Sequence, residues 1–319
     1  MRRGAALLFA GLVASPSASA SAAETLWERA RDPRSARAER VLVRMERVFD
    51  GIAQAGGDAQ MLEDFRQGTL LVAQMSGATE LADPRILLLL ARALLGFEGE
   101  READVRALVD KALRSLSEDD AWLEADLRAV QALAVRTNPL EARQLLTRAL
   151  GSSFRPELRA ELFRRRADAA MALFDLRSSL RDARSAISVA PTAGERILGC
   201  FALALALERS GDPRAAFAEL RTARLLASSA EAAEEAAAGI ADAFVFRAID
   251  ADYLTALRAM EAAESADDPE RGIEQYERAI AAFGEYVKAA PSDDRWVGFA
   301  RAHQRECEAA RRTLAETLL

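Results

Sequence analysis

The chain has 319 residues, half of them apolar, 6% aromatic and 29% charged, with a net charge of −7. That length is enough to bury a core or a row of small cores, and the acidic balance argues against general binding to nucleic acid or anionic membranes. Alanine and leucine dominate, which favours helices over strands, and the many arginines (Lys111 and Lys288 are the only lysines) are scattered among acids rather than gathered into a basic stretch.

Residues 1–22 read as a secretory signal peptide. Arg2 and Arg3 precede a short apolar run from Gly4 to Ala14, and a small-residue tail offers cleavage after Ala20, Ala22 or Ala23. The run is too short to span a bilayer, and no cysteine stands near the cleavage region to carry a lipid. The expected location is therefore outside the cytoplasm, in the periplasm or extracellular space, with no transmembrane segment after signal removal.

Residues 23–83 are predicted to form an N-terminal helical hairpin region, with Trp27 over its first helix and a break at Ala55 to Asp58. From 84 to 268 the chain repeats itself. Ala112, Ala149, Ala186 and Ala223 recur at a constant 37-residue step. So do Val105, Ala142, Ser179 and Ala216; Val109, Leu146, Ala183 and Leu220; and Ala93, Val130, Ala167, Ala204 and Ala241. A fixed period over several units marks a solenoid. Within the fourth unit, "ILGCFALALALE" from Ile197 and "RAAFAELRTARLLA" from Arg214 are two amphipathic helices. Between them Gly211 suits a left-handed helix end, Asp212 an N-cap and Pro213 a first helical turn. Asn138-Pro139 stands two periods upstream of Asp212-Pro213. Ala216 and Ala223 are predicted to allow close helix packing, with Phe217, Leu220 and Leu225 supplying apolar bulk. Residues 269–319 are predicted as a long helix stopping at Pro291 and a last helix from Trp296 to Leu318 that caps the array.

These residues resemble the tetratricopeptide repeat. Ala204, Ala216, Leu220 and Ala223 stand at that family's small and large apolar positions, with Gly211 at the turn. In the third unit Ala167, Ser179, Ala183 and Ala186 take those places, and Pro191 takes the closing proline. The step is 37 residues where the family has 34, and the family's early tryptophan and its tyrosine are missing. The likeness covers residues 86–265, and the chain ends stay open between this family and HEAT-like repeats. It implies an all-α, right-handed solenoid of antiparallel helical hairpins with a concave groove for a partner peptide or helix. The family's groove positions fall on Glu161, Arg164, Asp168 and Met171 in the third unit, and on Leu198, Phe201, Leu205 and Glu208 in the fourth. Arg164 and Phe201 head that list as partner contacts.

The inventory offers little chemistry. His303 is the sole histidine and reads as an exposed or half-buried structural residue on the last helix; no C-x-x-C, H-E-x-x-H or glycine-rich phosphate loop occurs. No catalytic residue, cofactor or metal is assigned. Cys200 and Cys307 read as two small buried thiols on separate hairpins rather than a disulfide. The carboxylate groups Glu118-Asp119-Asp120, Glu234-Glu235, Asp250 with Asp252, and Asp293-Asp294 are placed at helix starts or on solvated faces. The apolar runs Ile86–Phe97 and Ile197–Leu207 are predicted to be core. The function expected is a non-catalytic protein-binding scaffold or adaptor of a bacterial cell envelope. The alternatives are an exported enzyme on a helical scaffold, such as a cell-wall glycan hydrolase, and a self-assembling structural protein.

Overall fold

The structure is a computed structural model that describes residues 33–54, 59–95, 102–117, 122–152, 156–229, 232, 233, 236, 240 and 243–318. The signal-peptide reading, Trp27, Glu118–Asp120, Glu234-Glu235 and Ala241 lie outside the described residues. The fold is all-α, a solenoid-type succession of helical hairpins in which consecutive helices pack on one another, with no strand among the described residues. In chain order the helices are α1 (Pro33–Gln54), α2 (Ala59–Ser76), the single turn α3 (Ala78–Leu81), α4 (Pro84–Leu95), α5 (Glu102–Ser115), α6 (Trp122–Ala134) and α7 (Pro139–Ser152). They continue with α8 (Pro156–Ala172), α9 (Leu176–Val189), α10 (Ala193–Arg209), α11 (Pro213–Leu226), α12 (Asp250–Glu264), α13 (Pro269–Ala289) and α14 (Val297–Thr317).

The 37-residue period is written into the helix boundaries. The second helices of four successive hairpins, α5, α7, α9 and α11, are each 14 residues long and start at residues 102, 139, 176 and 213. The residues just before the last three of these helices are Asn138, Asp175 and Asp212. In each the side-chain carbonyl or carboxylate Oδ1 accepts a backbone N–H three residues on, at 3.1–3.2 Å. This satisfies one of the amides that a helix start leaves without a partner. All the described residues of the repeating set, from Ala93 to Ala223, are at most 2% exposed. The recurrence therefore marks where helices pack closely. Gly211 has φ +87, the left-handed turn expected of it. One period earlier Phe174 holds the same kind of turn at φ 59, with the Arg295 guanidinium 4.4 Å from its ring centre.

The chain divides into two compact units, one up to Leu162 and one from Phe163 on. In the first, α4 is buried on nearly every side. Ile86, Leu89, Leu90 and Ala93 join Val41, Leu42 and Met45 of α1, while Leu87, Leu88, Ala91 and Leu94 join Val105 and Val109 of α5 and Leu123 and Leu127 of α6. Arg92, inside this apolar helix, reaches Asp126 of α6 with Nη2 3.1 Å from Oδ2, both side chains buried. An ion pair is the way a charge tolerates such a site.

In the second unit one continuous core runs from Ala167 to Cys307, centred on α10, whose side chains from Ile197 to Arg209 are all buried. Gly199 allows α10 to lie hard against α9: a Cβ placed there would meet Ile187 Cγ1 at 2.7 Å. The apolar runs of α4 and α10 are core, as their composition indicates. Leu225 is not: it is 70% exposed, so the bulk under α11 comes from Leu220 and the partly buried Phe217. Among the described residues no helix is long and apolar enough to cross a membrane.

Candidate functional site

Position within the hairpins decides the fate of the eight groove candidates. Glu161, Arg164, Asp168 and Met171 lie on α8, and Leu198, Phe201, Leu205 and Glu208 on α10, yet none is more than 9% exposed. Their expected exposure to a partner is corrected by this burial. Met171, Leu198, Phe201 and Leu205 belong to the continuous core. The charged members of the second unit are held by other parts of the same unit. Arg164 places Nη2 3.1 Å from Glu195 Oε2 at the start of α10. Asp168 Oδ2 accepts the backbone N–H groups of Val245 and Phe246 at 2.7 and 3.2 Å. Glu208 Oε1 lies 2.6 Å from His303 Nε2 and also accepts the Tyr253 hydroxyl at 3.4 Å. The physical reason is coverage: chain segments 31 to 95 residues downstream return over these faces.

Burial sets the protonation behaviour of these groups. Asp168 is pushed up to about 7, chiefly by loss of solvent, and the two backbone amides and the Arg165 charge only partly oppose this. Its Oδ1 has no hydrogen-bond partner. His303 is buried, rather than exposed or half-buried, between Glu208 and Glu306, with Nδ1 2.9 Å from Glu306 Oε2, and stacks on Phe283. Burial disfavours its charge, but the two carboxylates outweigh burial and raise its pKa. Cys200 and Cys307 are free and buried as expected, and desolvation pushes both up to about 12, which leaves the thiols unreactive at neutral pH.

Two of the carboxylates considered for catalysis, Asp250 and Asp294, are also engaged, while Asp252 and Asp293 are exposed as expected. Asp250 begins α12 as expected, but it is buried rather than solvated, and it pairs with Arg209, whose Nη1 stands 2.7 Å from Oδ2. Arg247 bridges outward from the same Asp250, at 3.2 Å, to Asp294 at 2.5 Å, and Asp294 also accepts the Tyr286 hydroxyl. Asp294 is likewise buried along its side chain. The Arg209 guanidinium lies 5.0 Å from the Trp296 ring centre, closing the network with a cation–π contact. Such mutually neutralised pairs join elements of the second unit. Among the described residues no group of three metal-ligating side chains comes together.

The sequence reading missed the partners rather than the residues. Glu208 is 95 residues from His303, and Arg209 is 41 from Asp250, so no local pattern joins them. The visible signal was a charge inside an apolar run, as with Arg92 in "ILLLLARALL". The fold thus defines an all-α protein of helical hairpins, the central ones recurring every 37 residues. No family model matches the chain, and no curated protein does.

Proposed function

We propose that the protein is a non-catalytic interaction scaffold of tetratricopeptide type, exported to the periplasm or extracellular space of a bacterium, that holds a protein or peptide partner. The observation that carries this reading is the constant step of α5, α7, α9 and α11, with their caps and packing residues in register. Selection for so regular a stack of hairpins suits a protein whose work is to present an extended surface, since each hairpin contributes packing and face rather than a reacting group. Export rests on residues 1–22, whose basic start, apolar run and small-residue tail have the layout of a signal peptide. As the eight groove candidates are buried, on this reading the partner meets exposed faces of the hairpins.

Photo-crosslinking of the full-length chain in the intact envelope, followed by mass spectrometry, tests the reading. One envelope protein recurring across independent crosslinking positions on the same face is the expected result. Clearing of cell-wall material in a zymogram, lost on changing a single carboxylate, would replace the scaffold by an enzyme. Crosslinks only between copies of this chain would replace it by a self-assembling structural protein.

A further inference from the structure

Helices α10, α11, α12 and α13 line a half-open pocket of about 350 Å³ in the second unit. Its size falls at the small end of the range of ligand pockets. The Phe201 ring and the alanines Ala223, Ala259 and Ala262 give it an apolar lining, while Arg224, Arg258, Arg278 and Glu261 bring charge. Three arginines against one glutamate make a cationic pocket in a chain whose net charge is −7.

The single glutamate is already committed. Glu261 is buried and lies 3.4 Å from Arg221 Nε and 3.2 Å from Arg224 Nη2, and it accepts the Ser265 hydroxyl at 2.8 Å. Arg278 pairs with Glu274 one turn earlier on α13. Arg258 is the exception. Its guanidinium sits 4.7 Å from the centre of the Phe201 ring, and no carboxylate among the described residues pairs with it. Arg258 is exposed at the rim of the pocket and unpaired, so an incoming anion meets its guanidinium without breaking an internal ion pair. The Phe201 ring lies beneath the guanidinium carbon, and the N–H fork of a guanidinium suits a planar, two-oxygen acceptor.

We propose that this cavity is a binding site for a carboxylate carried on a small apolar body, the carboxylate meeting Arg258 and the apolar part lying against Phe201 and the α12 alanines. The carboxylate belongs either to a free organic acid or to an acidic side chain of a peptide. This inference stands apart from the scaffold reading, because its test uses no protein partner and either can fail alone.

The test is ligand-detected fluorine NMR on the full-length chain, with 4-fluorobenzoate and its neutral counterpart 4-fluorobenzamide as probes. Broadening of the benzoate signal and not the benzamide signal is expected. Arg258→Gln is expected to weaken benzoate binding about tenfold or more, the size of a lost charge-assisted pair. Ala262→Leu, which keeps Arg258 and fills the cavity, is expected to abolish it, and this variant carries the test should Arg258→Gln not fold by circular dichroism. Equal broadening of both probes, broadening of neither, or wild-type binding by the two variants would overturn the proposal. Displacement of benzoate by acetyl-Ala-Glu-Ala-amide, and not by its Gln analogue, supports the site with a peptide as the source. Selective benzoate binding without such displacement supports it with a free acid.

Discussion

Glu208 Oε1 lies 2.6 Å from His303 Nε2, tying α10 to α14 across 95 residues of sequence. The groups around this contact are Glu306 and Cys307 on α14, Glu264 and Tyr253 on α12, and the Phe283 ring on α13. Because the folded pKa of His303 is raised above 6.5, the imidazolium adds stability that is fully present below pH 6.5 and is lost as pH rises through the raised value. Urea midpoints measured across neutral pH should therefore fall for the wild type and change less for His303→Gln. As His303 is the only histidine, its ring resonances can be followed by NMR without assignment. A titration midpoint at or below 6.5 would remove the contact from the list of stabilising pairs.

Asp168 acts in the same direction by a different cause. Its folded pKa of about 7 stands above the ordinary 3.8, because burial penalises the carboxylate more than two backbone amides reward it. Between those values the folded state holds a proton that the unfolded state has released, so stability declines as pH climbs from about 4 to about 7. Asp168→Asn keeps an oxygen for the Val245 and Phe246 amides and cannot ionise. It should flatten the dependence over that window and match or exceed the wild type at pH 8. Loss of hydrogen-exchange protection at Val245 and Phe246 in this variant would show that the charge itself is needed to hold the segment.

How much of this was legible in sequence follows from the range of each interaction. The hairpins, their 37-residue step and the Gly211 turn are local matters: apolar spacing, caps and a residue free to take positive φ. They could be read from "ERSGDPRAAFAEL". Phe174 makes the equivalent turn one period earlier without any glycine to announce it. The burial of the eight groove candidates was not legible because family position says which way a side chain leaves its own hairpin, not what later folds over it. The face of α8 near Asp168 is met by residues 77 and 78 positions on. Likewise Arg258 is unremarkable in "TALRAMEAAE", and only the fold sets it over Phe201 with no carboxylate among the described residues paired to it.

Two glycines of the fourth hairpin should respond to substitution for opposite reasons. Gly211 has open space around its missing Cβ but a φ of +87, so Gly211→Ala should cost about 1–2 kcal/mol through backbone strain while Gly211→Asn costs less. Gly199 has no backbone strain to relieve and instead faces Ile187. Gly199→Ala should cost about 1–3 kcal/mol, with Gly199→Asn worse. Ile187→Ala removes the atom that the new Cβ would strike, so the double variant with Gly199→Ala should cost less than the sum of the two single changes. Chemical denaturation of the six variants checks the pattern, and strict additivity at 187 and 199 would count against close α9–α10 packing.

The Arg209–Asp250 pair offers the largest expected effect. Both side chains are fully buried, and Asp250 has Arg247 as its other cation, at 3.2 Å. Removing Arg209 leaves a buried carboxylate with half of its compensation, and removing Asp250 leaves Arg209 with only the faces of Trp296 and Tyr253. Each single change, Arg209→Met or Asp250→Leu, should cost about 3–5 kcal/mol, with Arg209→Met toward the lower end because Arg247 remains. The double variant replaces the pair by apolar bulk and should recover most of that loss, since two charges no longer have to be kept from water. A double-mutant cycle in urea measures the coupling directly. A double variant as unstable as the sum of the singles would mean that the two residues stabilise α10 and α12 independently, through packing rather than through their mutual charge.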